Sequence, residues 1–144
     1  MATPEKTRRD PLTLEVIDLI GAVVARYHEE YEQAATQHSL TGAQARLLSL
    51  LTLGPLPMRQ LARKLRCEPS NVTGIVDRLE SRDLVERRPD PSDRRVKVAA
   101  CTDEGRRVAG SLRDSLDFAR EPLAGLSEEE RELLRGLLTR MVEA

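Results

Sequence analysis

Residues Pro69–Lys97 read PSNVTGIVDRLESRDLVERRPDPSDRRVK. The first half has helical periodicity. Val72, Ile75, Val76 and Leu79 recur at i, i+3, i+4 and i+7, which makes one apolar stripe. Ser70, Asn71, Thr73, Gly74 and Arg78 then point away from the core. A helix that shows solvent short hydrogen-bonding side chains, and a glycine permitting close approach, suits a polar partner such as the base edges of a DNA major groove. Behind it, LVERR and RVKVAA are short β-prone runs around PDPSD, a turn with two prolines. The hairpin so formed carries Arg87, Arg88, Arg94, Arg95 and Lys97.

The segment before it completes the motif. Met58, Leu61, Ala62 and Leu65 give a short helix after Pro57, and RCEP links it to the helix at Pro69. Pro69 suits a first helical position, where the amide it lacks has no partner anyway. Two short helices joined by about four residues have helix-turn-helix spacing. With the basic hairpin, the fold expected is mainly α with a small β-hairpin wing: a winged helix-turn-helix over 42–100.

The flanks predict helices of another kind. Over 12–36, Val16, Leu19, Ile20, Val23, Val24, Tyr27 and Tyr31 form a stripe broader than one surface helix needs. Pairing with a second copy is its simplest use. Thr41 with Gln44 makes a capping box, Gln44, Leu47, Leu48 and Leu51 continue that helix, and Gly54-Pro55 ends it. Thr102 is placed to cap a helix over 103–121 with Val108, Leu112, Leu116 and Ala119 inward, broken by Pro122 and Gly125. Ser127 with Glu130 makes another capping box. Leu133, Leu134, Leu137, Leu138 and Met141 then stripe a terminal helix that would fray undocked.

The ordered set LTGAQARLLSLL, MRQLARKL, EPSNVTGIVDRLESRDLVERR, the wing DRR and TDEG resembles the MarR family of bacterial transcription regulators, over roughly residues 12–143. The resemblance implies one domain over 1–144, with dimerisation helices at 12–36 and 103–143. It implies a homodimeric, ligand- or oxidant-responsive repressor on double-stranded DNA. It also assigns Asp93 to holding the wing and Arg95 to the minor groove, where a narrow A·T tract has an enhanced negative potential. Arg94, Arg59, Arg63, Arg78 and Arg82 suit phosphate, and Asp77 suits orienting a neighbouring arginine. Relatives often carry glycine where Arg66 and Asp83 stand.

The family's small aromatic or carboxylate ligands bind between dimer base and reading head, which makes Tyr27, His28, Tyr31, His38 and Arg46 the candidates. The two tyrosines also fit the core, and the histidines a plain surface. With three aromatic residues and no Trp, stacking of a large planar ligand has little support. Cys67 and Cys101 stand at usually apolar positions and read as core thiols. The peroxide-sensing branch uses a cysteine near the start of the first helix, and none is there.

Composition is consistent with this. Of 144 residues, 33% are charged and 40% apolar, enough for one domain with a core. The net charge of −1 hides an asymmetry: residues 58–97 hold 11 Lys/Arg against 7 Asp/Glu, while the remainder holds 12 against 17. The basic surplus falls on the reading segment. There is no run of about 18 apolar residues to span a membrane, and MATPEKTRRDP lacks the apolar core of a signal peptide. The cytoplasm is the expected compartment. No nucleophile–base pair, phosphate-cradling glycine loop, metal cluster or cofactor motif appears, so neither catalytic nor metal residues are assigned and an enzyme is not expected. The rival readings are a winged-helix module that binds protein, and a cysteine-based redox-responsive regulator.

Overall fold

The computed structural model describes residues 10–144; residues 1–9, which carry most of the segment examined for a signal peptide, lie outside the described residues. Asp10 caps α1 (Pro11–Thr36), accepting from the Leu12 amide at 3.4 Å. Then come α2 (Gly42–Leu51), β1 (Leu56–Pro57), α3 (Met58–Leu65), α4 (Pro69–Ser81), β2 (Val85–Pro89), β3 (Lys97–Cys101), α5 (Asp103–Ser115), a 3-10 turn (Phe118–Arg120) and α6 (Glu128–Glu143). Both expected capping boxes form: Thr41 with Gln44, and Ser127 with Glu130. Among the described residues no helix is long and apolar enough to cross a membrane.

The core lies where α2, α3, α4, α5 and the sheet meet. Leu47, Leu48, Leu51, Leu61, Val72, Val76, Leu79, Val85 and Leu112 are fully buried there. The α4 stripe therefore faces inward as its spacing requires, with Ile75 half-buried at its edge. The wing has three strands rather than two. All pairs are antiparallel, in the order β1-β3-β2, with Leu56 opposite Ala99 and Arg87 opposite Ala99 on the other side. A two-residue strand ending in proline has no alternation to read, so β1 is legible only from its partner.

The helix expected over 103–121 stops at Ser115, and Leu116 is extended (φ −80°, ψ 146°). The reason is tertiary. The Glu30 carboxylate on α1 accepts from the amides of Asp117 at 2.8 Å and Ala119 at 3.1 Å, giving them partners outside a helix. The Arg26 guanidinium sits 4.3 Å above the Phe118 ring. Leu116 and Ala119 are still buried.

Three turns take the left-handed conformation at positions without glycine: Ser39 (φ 55°), after α1, Arg66 (φ 52°), after α3, and Asp83 (φ 58°), after α4. Asp tolerates this; Arg is held there by the fold, at a steric cost of about 1–2 kcal/mol. Arg66→Gly is expected to raise the thermal midpoint by roughly 3 °C, about 1 kcal/mol net of glycine's extra unfolded-state freedom. A lowered midpoint in a melting curve would mean that the Arg66 side chain contributes more than its backbone costs.

Candidate nucleic-acid interface

α4 offers two polar edges. Asn71, Gly74 and Arg78, at i, i+3 and i+7, line a groove of about 410 Å³ against the start of α2, whose far wall includes Thr41, Gln44 and Arg46. Thr73, Asp77 and Glu80, at i, i+4 and i+7, run along the other edge towards the wing. Ser70, Asn71, Thr73, Gly74 and Arg78 are all exposed. The Thr73 hydroxyl donates to the Pro69 carbonyl at 3.1 Å, which leaves its methyl and a lone pair for a partner. A Cβ built on Gly74 meets nothing within 4 Å, so the surface above it is open. No side chain caps the start of α4. Pro69 has no amide hydrogen and the Asn71 amide donates to the Glu68 carbonyl at 2.9 Å, so the Ser70 amide and the positive end of the dipole are what this end offers an anion such as a phosphate.

Next to that end lie Arg59 and Arg63 of α3. With Arg66, Cys67, Glu68 and Asn71 they line an open groove of about 600 Å³. Arg82 is used differently from the expected phosphate contact: its guanidinium donates to the Ser39 carbonyl at 3.0 Å, tying the end of α4 to the α1–α2 turn.

The wing tip is built from two aspartates. Asp90 accepts from the Ser92 amide at 2.9 Å and its hydroxyl at 2.8 Å, and these bonds hold its carboxyl below the usual carboxylate range. Asp93 accepts from the Arg95 amide at 3.1 Å and from Arg95 Nε at 3.2 Å. Arg95 therefore has a fixed backbone and a side chain that is 92% exposed. Arg94 is exposed beside it. Three of the five wing cations are paired within the chain: Arg95 with Asp93 at the tip, Arg88 with Glu86, and Arg87 with both Asp77 and Glu80.

The five candidate ligand residues do not form one site. Tyr27 and Tyr31 stack tilted at 5.1 Å and line a cavity of about 580 Å³ between α1, α2 and α5. Burial and the neighbouring Tyr31 push the Tyr27 hydroxyl up to about 12. His28 Nε2 instead lies 3.2 Å from Arg46 Nη1, and burial followed by that guanidinium lowers its pKa. Arg46 thus spans from α1 to the α4 groove. His38 lies in the turn that closes α1, away from the cavity. Arg106, Arg113 and Arg120 also line the tyrosine cavity. The sequence held a signal for the first two, since Arg106, Gly110 and Arg113 share one helical face at i, i+4 and i+7. Cys101 is buried, its Sγ 3.6 Å from the Leu48 carbonyl, and burial raises its pKa, which opposes thiolate reactivity. Cys67 is half-buried.

Residues 40–97 match the model of the MarR family. The transcriptional regulator MhqR of Bacillus subtilis is 34% identical over 134 residues, 90% of each chain. The chain belongs to the MarR family. It is a MarR-family transcription regulator with the winged helix of its relatives. The repressor NicR of Pseudomonas putida is 27% identical over 151 residues, covering 99% of this chain and 94% of that one. The crystal structure of CouR from Rhodococcus jostii, bound to p-coumaroyl-CoA, superposes with a TM-score of 0.76 at 28% identity, over 92% of this MarR-family chain and 95% of CouR.

Proposed function

We propose that this chain is a homodimeric repressor that reads a near-palindromic operator and leaves it when a small ligand binds. The observation that carries this is the Asp93-pinned, 92% exposed Arg95 flanking an α4 whose outer edges are polar and whose start is uncapped. Ser70, Asn71, Thr73 and Gly74 meet base edges. Arg59, Arg63, Arg78 and Arg94 meet phosphates, and Arg95 enters the minor groove with Asp93 behind it. Two heads about 34–36 Å apart read successive major grooves. The whole chain serves as one domain, with helices at 12–36 and within 103–143 covering one another in the dimer. It works in the cytoplasm, on double-stranded DNA, without catalytic chemistry. The repressor name of NicR and the ligand of CouR support repression and ligand release. The ligand is a small aromatic or carboxylate compound seated on Tyr27 and Tyr31, with Arg106, Arg113 and Arg120 at hand for its anionic end.

The test is binding to the DNA flanking its own gene at two salt concentrations. Saturable, sequence-dependent binding that weakens steeply with salt is expected. No binding at low salt would leave a winged helix without DNA and favour a protein partner. Arg95→Ala is expected to weaken operator binding by about 1–3 kcal/mol; unchanged affinity in a gel-shift titration removes Arg95 from the interface.

A further inference from the structure

Arg87 sits at the joint between reading helix and wing. It is half-buried, whereas Arg88, Arg94, Arg95 and Lys97 are exposed. Its Nη2 lies 2.6 Å from Asp77 Oδ1 and its Nη1 2.9 Å from Glu80 Oε1, while its own amide donates to Glu80 Oε2 at 3.2 Å. Both carboxylates belong to the α4 edge that also carries Thr73. A planar guanidinium bridging two carboxylates one turn apart fixes distance and angle at once, which a lone ammonium cannot do. Asp77 also lies on the face of α4 that the proposed DNA would approach, with 60% of its side chain exposed. Left bare, it would repel phosphate.

We propose that Arg87, held by Asp77 and Glu80, is a specificity-setting positioning residue: it fixes the wing relative to the reading helix and masks two carboxylates, instead of contacting DNA itself. This rests on the DNA-binding reading above. Affinity and discrimination should therefore respond to loss of the two acids in opposite directions. Removing the two acids frees a cation at the DNA face, so affinity for any sequence rises while discrimination falls.

The experiment uses the full-length protein and two duplexes. One is recovered by selection from a random library with the wild-type chain; the other is a mixed-sequence duplex of equal length. Asp77→Asn/Glu80→Gln is expected to bind the mixed duplex several-fold more tightly, with a salt slope steeper by about one, and to narrow the selected-to-mixed ratio on the order of tenfold. Arg87→Ala is expected to lose affinity for the selected duplex beyond its loss on the mixed one. Arg87→Lys is expected to restore mixed-duplex affinity and not the ratio. A double variant with the wild-type ratio and salt slope overturns the proposal while leaving the regulator reading intact. Failure of the wild-type chain to select any sequence removes the regulator reading itself, and the proposal with it.

Discussion

Gly105→Ala is expected to destabilise the chain by about 3 kcal/mol, at the upper end of ordinary overpacking, whereas Gly110→Ala in the same helix is expected to stabilise it by roughly 0.5–1 kcal/mol. Gly105 lies in the first turn of α5 and is buried. A Cβ built there overlaps the carbonyl oxygen of Leu84 and lies 2.9 Å from the Leu84 carbonyl carbon. These are backbone atoms, so no side-chain rotation relieves the clash. They are also committed: the same oxygen accepts from the Thr102 amide at 3.2 Å, and the Thr102 hydroxyl donates to the Asp83 carbonyl at 2.5 Å while accepting from the Gly105 amide at 3.0 Å. The turn after α4, the end of β3 and the start of α5 are therefore one joint, and it joins the reading head to the helix that leads away from it. A Cβ on Gly110 meets nothing within 4 Å, so there the substitution brings only helix propensity. Chemical denaturation of both variants checks the contrast. Equal midpoints would mean that the Leu84 turn yields at little cost, and that the joint is softer than its hydrogen bonds imply.

That joint illustrates what the sequence could and could not reveal. Thr102 was legible as a cap because the bond it accepts, from Gly105, is three residues away. The same locality made both capping boxes and the α4 stripe readable. The wing's Asp93–Arg95 bond spans two residues and was legible by resemblance. What was hidden depends on distant partners. The end of α5 is set by Glu30, 87 residues from the amide it accepts from, and β1 exists because β3 lies beside it. Asp77 is readable as the orienter of a neighbouring arginine, but that the arginine is Arg87, ten residues on, and that Glu80 shares it depend on the packing of β2 against α4. The family resemblance groups Arg46 with the tyrosines, yet it shares a groove with Arg78. The apolar stripes of α1 and α6 were legible, but only the structure shows that a single chain leaves them uncovered.

Those stripes carry the last and largest expected effect on function. Leu19 is 60% exposed and Leu133 is 64% exposed, and Val16, Val23, Leu137, Leu138 and Met141 are also open to solvent. Between Val23 and α6 runs a groove of about 840 Å³ whose lining is mostly apolar, including Leu123, Leu134, Leu138 and Val142. An exposed apolar surface of this extent marks an interaction site, and two copies covering it would each gain about 25 cal/mol per Å² removed from water. Leu19→Glu combined with Leu137→Glu places charges within both stripes. The expected product is a folded monomer by light scattering, because neither side chain belongs to the buried core. Its operator affinity is expected to fall at least a hundredfold, since linking two heads raises avidity by about 10²–10⁴ without any new contact. The salt slope should fall to about half as the phosphate contacts per complex halve. Mixed-sequence binding per head should change little, and that separates loss of assembly from loss of the reading surface. A double variant that remains a dimer with wild-type operator affinity would place the self-association surface elsewhere, and would leave these two helix faces in want of another partner.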